Sequence, residues 1–263
     1  MNNFDKKVIF FDVDGTLVNS KTMKVEPSTI EILKELNQRE DIDLYISSGR
    51  TYAGLFEIEN ILKYFTGFNL ANGSQIIVNN DTIYLDPIDS TIINKLLDEL
   101  DEKNVSYVLL ENDYCYKRYT NEELAKVFDN VVRIDHKRIN NHQNLKLDKI
   151  IEAWILDEHP LINELIKKYP DLTFYKWGNY GCDLVKKDAS KGKGIKKIIE
   201  LLGYDYYKTY AIGDADNDVP MLESVYYPIA MGQGNDNVKK VAKYITKPVD
   251  EDGLAYAIKK WIL

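Results

Sequence analysis

The chain has few of the residues that mark a cross-linked, metal-clustered or membrane-embedded protein. Its 263 residues include only two cysteines, Cys115 and Cys182, and these lie far apart in sequence. This argues against a disulfide framework or a zinc site and predicts two free, buried or half-buried thiols. The first apolar run, at residues 8–11, is too short for a signal peptide core or a membrane span. We therefore expect a cytoplasmic protein with no membrane partner.

An excess of positive charge is also absent. The chain has 34 lysines and arginines against 42 acidic residues, a net charge of -8. Such a chain does not bind nucleic acid through bulk charge, although it can still bind anionic phosphates locally. We find no internal repeat, low-complexity tract or Gly/Ser-rich linker. Nothing in the sequence indicates the oligomeric state.

Alternating short strands and helices are predicted at both ends of the chain. Apolar runs at residues 8–11, 44–46, 68–71, 210–212 and 229–231 predict buried strands. A first helix is expected to open at Pro27-Ser28, where Ser28 and Glu31 have the spacing of a capping box. A second is expected between an N-cap at Ser190 and a stop at Gly203. This alternation predicts an α/β fold with a Rossmann-like, mostly parallel sheet.

The middle of the chain has a different pattern. Helices are expected near residues 92–100 and 161–168, and strands at 105–110, 114–118, 150–156, 172–176 and 182–185. This reads as an α+β unit inserted into the first. We predict a core of residues 1–83 and 187–263 and an inserted domain of residues 84–186.

The strongest chemical signal is Asp12-Val13-Asp14-Gly15-Thr16, directly after an apolar run. Two carboxylates two positions apart at a strand end can point the same way. One can attack phosphorus and form an aspartyl-phosphate, and the other can serve as acid and then as base. An ordinary Asp-Gly turn is the plain alternative. Close carboxylates also repel each other, which a divalent cation relieves.

A second acidic cluster, Gly213-Asp214-Ala215-Asp216-Asn217-Asp218, follows another predicted strand. Because the carboxyl ends of parallel strands share one edge of a sheet, Asp214 could complete a magnesium site with Asp12. The alternative of a calcium loop is disfavoured, since the glycine and glutamate of an EF-hand are missing.

Two weaker signals complete the set. Ser48-Gly49-Arg50 ends the strand at 44–46, where a hydroxyl and a backbone N–H could hold a phosphate oxygen. Lys191 stands at the predicted start of a helix and could place positive charge beside a phosphate. By itself, the Ser48-Gly49-Arg50 segment is equally consistent with an ordinary turn, and Lys191 with a surface lysine.

These four motifs in this order resemble those of the haloacid dehalogenase superfamily. The arrangement is similar to its Cof-type hydrolases, which carry a large α/β cap between the second motif and the lysine, and the likeness spans nearly the whole chain. Smaller landmarks agree at Asn72-Gly73, Ala230-Met231-Gly232 and Glu251-Asp252-Gly253. The chain departs from the family pattern at Ser48, often threonine, and at Gln233-Gly234, usually Asn-Ala.

The resemblance implies roles for individual residues. Asp12 would be the nucleophile and Asp14 the general acid and base, lending its backbone carbonyl to the metal. Ser48 would hold the transferring phosphoryl group, and Lys191 would offset charge. The implied phosphate-binding residues are Ser48, Gly49, Arg50, Lys191 and Asn217. The implied Mg²⁺ ligands are Asp12, Asp14, Asp214 and Asp218.

The sequence thus predicts a magnesium-dependent phosphatase acting on a small phosphorylated metabolite, such as a sugar phosphate. The resemblance implies that the inserted domain is a cap that selects the substrate. A phosphomutase of the same superfamily and a non-catalytic sensor of phosphorylated metabolites remain the alternatives.

Overall fold

The computed structural model describes residues 2–111, 114–120, 122–123, 126, 145–157, 159–177 and 181–263. The chain divides into two compact units. The first comprises Met1–Gly49, Ile58–Tyr84 and Ser190–Leu263, and the second comprises Arg50–Glu57 and Leu85–Ala189. That the second unit serves as a substrate-selecting cap stays a prediction.

An eight-stranded sheet forms the centre of the first unit. Its strands in chain order are β1 (Lys7–Phe11), β4 (Ile42–Ser47), β5 (Gly67–Leu70), β6 (Gln75–Val78), β7 (Asp81–Leu85), β13 (Thr209–Gly213), β14 (Tyr227–Ala230) and β15 (Tyr244–Ile245). Their order across the sheet is β15-β14-β13-β1-β4-β5-β6-β7. Pairings from β15 to β5 are parallel, and β6 pairs antiparallel with β5. The predicted Rossmann-like core is confirmed. A small hairpin of β2 (Val18–Asn19) and β3 (Lys24–Val25) follows β1.

Helices cover this sheet because its strands are apolar on both faces. The helices of the first unit are α1 (Pro27–Asn37), α2 (Glu59–Leu62), α5 (Lys191–Leu202), α6 (Val219–Leu222), α7 (Asp236–Val241) and α8 (Gly253–Trp261). Val8 and Phe10 pack in one cluster with Ile195 of α5 and Met221 of α6. Alternation along β1 turns Ile9 to the opposite face, and α1 contacts β4 and α8.

The second unit is an antiparallel sheet with helices packed on one face. Its strands are β8 (Ser106–Leu110), β9 (Cys115–Arg118), β10 (Glu152–Leu156), β11 (Leu172–Trp177) and β12 (Gly181–Lys186), in the order β11-β12-β10-β8-β9. Two helices, α3 (Ser90–Glu102) and α4 (His159–Lys168), complete it. Leu96 of α3 and Leu165 of α4 share one buried cluster with Tyr107 of β8.

One local prediction was wrong: the capping box of Ser28 and Glu31 does not form, although the helix opens at Pro27 as expected. Helix α1 begins at Pro27, its N-cap is Glu26, and no side chain caps it. Pro27 has the backbone angle of a first helical turn and lacks an N–H that would need capping, so the helix starts one residue before Ser28. Ser28 therefore lies inside the first turn and makes no capping box.

The predicted cap and stop of α5 and the two predicted free thiols are confirmed. Ser190 caps α5 by accepting a hydrogen bond from the Lys193 N–H, and Gly203 ends the helix with φ of 71°. Cys115 and Cys182 are free and buried. Within the described residues, no helix is both long enough and apolar enough to cross a membrane.

Candidate active site

The candidate residues of the first unit lie where three neighbouring parallel strands end. β1 pairs on one side with β13 and on the other with β4. Asp12 follows β1 directly, Ser48 follows β4, and Asp214 follows β13. Because the strands are parallel and in register, these three positions meet at the carboxyl edge of the sheet, where open α/β sheets bind ligands.

A tight turn brings Asp12 and Asp214 together. Gly15 has φ of +90°, and a Cβ built there would lie 2.1 Å from Oδ2 of Asp214. Only glycine fits both this backbone conformation and this close approach. The Gly15 N–H donates to the Val18 carbonyl at 2.8 Å, and the Val18 N–H to the Val13 carbonyl at 2.8 Å.

A buried lysine joins two buried aspartates. The Nζ of Lys191 lies 2.6 Å from Oδ1 of Asp12 and 2.6 Å from Oδ1 of Asp218. Lys191 is 1% exposed, Asp12 4% and Asp218 0%, so these charges are almost fully removed from water. Their mutual attraction is correspondingly little screened by solvent.

The pKa values of these groups reflect that burial. Burial, followed by the charge of Asp218, raises the pKa of Asp12 well above its ordinary value, and Lys191 only partly opposes this. Burial and the same Asp218 charge raise the pKa of Asp214 to about 6. Burial alone would lower the pKa of Lys191, but the charges of Asp12 and Asp218 outweigh it and raise that pKa.

Asp218 organises the loop that follows β13. Its Oδ1 accepts from Lys191, and its Oδ2 accepts from the backbone N–H groups of Asp214 at 2.9 Å and Ala215 at 3.0 Å. Gly213 leaves space for this, since a Cβ there would lie 2.7 Å from the Asp218 carboxylate. Both Asp218 oxygens thus have partners within the protein.

The acidic groups fit a divalent cation. Carboxylate oxygens of Asp12, Asp214 and Asp218 lie within 4.8 Å of one another. In the part of the chain that the structure describes, two buried oxygens of this set lack a hydrogen-bond partner: Oδ2 of Asp12 and Oδ1 of Asp214. Buried polar atoms are rarely left unpaired, and an all-oxygen set suits a hard cation such as Mg²⁺.

The strand-end serines have different partners. Ser48 is 2% exposed; its backbone N–H donates to the Asn69 carbonyl at 2.9 Å, and its carbonyl accepts from Asn72 at 3.2 Å. The Oγ of Ser47 instead accepts from the Asn69 side chain at 2.9 Å. A Cβ on Gly49 would lie 3.3 Å from the Asn72 amide, so space beside Gly49 is limited.

Sequence reasoning missed Asn69. Its buried side-chain amide also donates to the Lys191 carbonyl at 2.8 Å, which ties β5 to the first residue of α5. No local pattern marks this residue, because its partner lies 122 positions away.

The remaining predicted residues are more exposed. The side chain of Asp14 is exposed, and its carboxylate is not part of the clustered set. Asn217 is exposed in a single helical turn, Asp216–Asp218. Arg50 belongs to the second unit, where its guanidinium donates to the Gly54 carbonyl at 2.8 Å and to Glu57 at 3.2 Å. Phosphate binding by Arg50 and Asn217 stays a prediction.

Fold and site together define a hydrolase with an acidic centre at the carboxyl edge of a parallel sheet. The chain belongs to the haloacid dehalogenase-like hydrolase family, whose model matches residues 9–258. This confirms the family resemblance on which the residue roles were predicted.

Individual relatives match along nearly the whole chain. YkrA of Bacillus subtilis strain 168 is 31% identical over 262 residues, which cover 97% of this chain and 98% of that protein. A second protein of that strain, 5-amino-6-(5-phospho-D-ribitylamino)uracil phosphatase YcsE, is 29% identical over 262 residues, covering 98% of this chain and 97% of its own. Among solved structures, the HAD subclass IIB sugar phosphatase BT4131 superposes with a TM-score of 0.81 at 27% identity, covering 97% of this chain and 98% of its own.

Proposed function

We propose that this protein is a magnesium-dependent phosphatase that hydrolyses small phosphorylated metabolites through an aspartyl-phosphate on Asp12. The observation that carries the proposal is the state of the Asp12 carboxylate. One oxygen is held by the Lys191 ammonium at 2.6 Å, and the other is buried without a hydrogen-bond partner among the described residues. A carboxylate held in this way is oriented as a nucleophile and leaves an oxygen for a metal or a phosphoryl group.

In the first step, Asp12 attacks phosphorus and forms the new O–P bond while the bond to the ester oxygen breaks. Asp14 donates its proton to that departing oxygen, which leaves as an alcohol. The exposed side chain of Asp14 suits this role, because it must meet both substrate and water. The Lys191 ammonium offsets the charge of Asp12 and of the transferring phosphoryl group.

In the second step, water attacks the phosphorus of the aspartyl-phosphate. Asp14, now a carboxylate, accepts a proton from that water, and the bond between Asp12 and phosphorus breaks. Inorganic phosphate leaves, and both aspartates return to their starting forms. The net reaction is ester plus water to alcohol plus phosphate.

Asp12 and Asp214 would hold Mg²⁺ through their two unpartnered oxygens, with the Asp14 carbonyl as a further ligand. Such a cation supplies positive charge that favours the ionised carboxylates and binds phosphate oxygens. Direct ligation by Asp218 is less favoured, because both of its oxygens already accept hydrogen bonds. We assign Asp218 to holding Lys191 and the backbone N–H groups of Asp214 and Ala215.

The proposed substrate class is sugar phosphates and similar compounds. Two relatives support it: BT4131 is described as a sugar phosphatase, and YcsE is named for a substrate with a phosphorylated ribityl chain. We further propose that the second unit selects among such substrates. Ser48, Gly49, Arg50 and Asn217 would bind the phosphate group.

The test is phosphate release from a panel of phosphorylated metabolites, with Mg²⁺ and with a chelator. The Asp12→Asn variant should fold and lose turnover by several orders of magnitude, as expected when a nucleophile is removed. Asp216→Asn is the matched control, because Asp216 is exposed in the loop after β13 and lies outside the clustered carboxylates. It should keep near wild-type turnover.

Other outcomes would reject the proposal. Wild-type turnover in Asp12→Asn would rule out Asp12 as the nucleophile. Transfer of phosphate to another position on the same substrate, without free phosphate, would indicate a mutase. Tight binding of one compound with no release from any would indicate a sensor.

A further inference from the structure

One exposed amide connects three separate loops at the acidic edge of the sheet. The Nε2 of Gln233 donates to the Gly15 carbonyl at 2.5 Å and makes a longer contact of 3.4 Å with Oδ2 of Asp214. Its Oε1 accepts from the Val249 N–H at 3.0 Å. A single side chain therefore bridges the turn after Asp14, the loop after β13 and the segment that leads to α8.

The backbone next to Gln233 is itself fixed to the same loops. The Gly232 N–H donates to the Lys247 carbonyl at 3.1 Å, and the Asn235 N–H donates to the Asp214 carbonyl at 3.1 Å. A Cβ on Gly232 would lie 2.5 Å from the Pro248 backbone nitrogen. The backbone at Gln233 is therefore held in one position, which fixes where its side-chain amide lies.

The contact with Gln233 makes the two oxygens of the Asp214 carboxylate different from each other. Oδ2 lies toward Gln233 and the Gly15 turn, whereas Oδ1 is buried without a hydrogen-bond partner among the described residues. A side chain that holds one carboxylate oxygen fixes the direction of the other. Groups that orient metal ligands in this way strongly affect metal affinity.

We propose that Gln233 is a positioning residue that locks the Asp14–Gly15 turn to the Asp214 carboxylate and so pre-organises the carboxylates for a divalent cation. This rests on the proposed function, since it takes Asp12 and Asp214 as ligands of Mg²⁺. It assigns no contact with substrate to Gln233. The side chain lies at the surface, so its loss removes orientation and leaves the buried core intact.

The test is calorimetric titration of the full chain with Mg²⁺ alone, which requires neither substrate nor turnover. Gln233→Met keeps the length of the side chain and removes both its donor and its acceptor. We expect about tenfold weaker Mg²⁺ binding, the lower end of what loss of a ligand-orienting partner costs. Gln233→Ala is the second variant, and it should weaken binding at least as much.

Asn237→Ala is the matched control. Asn237 is exposed nearby and donates one hydrogen bond, to Asp216 at 3.0 Å, which is not among the clustered carboxylates. The Mg²⁺ affinity of the Asn237→Ala variant should equal that of the wild type. Urea unfolding in the absence of metal should give all four proteins similar stabilities.

A kinetic readout separates positioning from substrate binding. The Gln233 variants should need about tenfold more Mg²⁺ for half-maximal activity, and saturating Mg²⁺ should restore a wild-type KM. Unchanged Mg²⁺ affinity in both variants overturns the proposal, and so does a raised KM at saturating Mg²⁺, which would assign Gln233 to the substrate.

These experiments distinguish failure of the proposed role of Gln233 from failure of the proposed phosphatase activity. A wild-type protein that binds no Mg²⁺ overturns both. A wild type that binds Mg²⁺ but releases no phosphate from any ester rejects only the phosphatase, because the comparison of affinities still tests Gln233.

Discussion

At the residue scale, the arrangement of Lys191 between Asp12 and Asp218 has a large energetic consequence. Removing charges from water is costly, and a buried pair is maintained only when its partners compensate one another. Here one ammonium faces two carboxylates, so the group has a net negative charge whenever both aspartates are ionised. A bound cation would offset that negative charge, and so would an incoming group that brings a positive charge with it.

We predict that Lys191→Met destabilises the protein and nearly abolishes turnover. The substitution leaves two buried aspartates without their cation, which costs roughly 3 kcal/mol of unfolding free energy. Loss of a charge aimed at the phosphoryl group should lower turnover by about 10²-fold or more. Urea unfolding and phosphate-release assays measure the two effects.

Lys193→Met is the control for that substitution. Lys193 lies on the same helix two residues further along and is exposed. The Lys193→Met substitution should change neither the free energy of unfolding nor turnover much, since exposed charges contribute little to stability. Equal stability of the two variants would mean that Lys191 is not the charge that holds Asp12 and Asp218.

At the element scale, the start of α5 is held against β5 by close packing. A Cβ on Gly194 would lie 1.8 Å from Oδ1 of Asn69, and Asn69 in turn holds Ser47 and the Lys191 carbonyl. Gly194 thus lets the helix approach the strand closely enough for Lys191 to reach Asp12.

We predict that Gly194→Ala destabilises the protein, although alanine normally favours a helix by about 1 kcal/mol over glycine. The clash with a buried, bonded side chain should cost about 1–3 kcal/mol overall. Turnover should fall too, because α5 must shift and carry Lys191 with it. Thermal or urea unfolding and the phosphate-release assay report the outcome.

Gly203→Ala provides the contrast at the other end of the helix. Gly203 has φ of +71°, and a Cβ there would meet nothing within 4 Å. Alanine should cost about 1 kcal/mol through backbone strain alone and leave turnover unchanged. If Gly194→Ala raised stability or kept full turnover, the contact with Asn69 would not position Lys191.

At the scale of the whole molecule, the two units have separate cores and different sheets. The proposed metal ligands all belong to the first unit, whereas α3 and α4 belong to the second. A ligand that binds one folded unit stabilises that unit against unfolding.

We predict that Mg²⁺ increases amide protection in the first unit and not in α3 or α4. At a concentration 100 times its Kd, the cation should add about 2.7 kcal/mol to the stability of the unit that binds it. Hydrogen exchange read by mass spectrometry should show this in peptides covering β1, β13 and the start of α5. A chelator or Asp214→Asn should remove the effect, and equal protection of α3 would contradict it.

Much of the fold was predictable because its signals are local. The apolar runs before Asp12, Ser47 and Asp214 indicated strands. The N-cap at Ser190 and the stop at Gly203 indicated α5. The start of α1 was also predicted correctly, and only the capping box expected from Ser28 and Glu31 is absent, because the helix begins at Pro27 with Glu26 as its N-cap. Strand β6 and the hairpin of β2 and β3 were not predicted, since runs of two to four residues carry little periodicity.

The sequence by itself determined which chemical groups stand at the ends of which strands, and that was enough to predict an acidic, phosphate-directed centre. Only the tertiary structure decided how those groups pair. It joined Lys191 to Asp12 across 179 positions and Gln233 to Gly15 across 218. The physical reason is that secondary structure follows from neighbours along the chain, whereas the orientation of a carboxylate depends on side chains that only folding brings near.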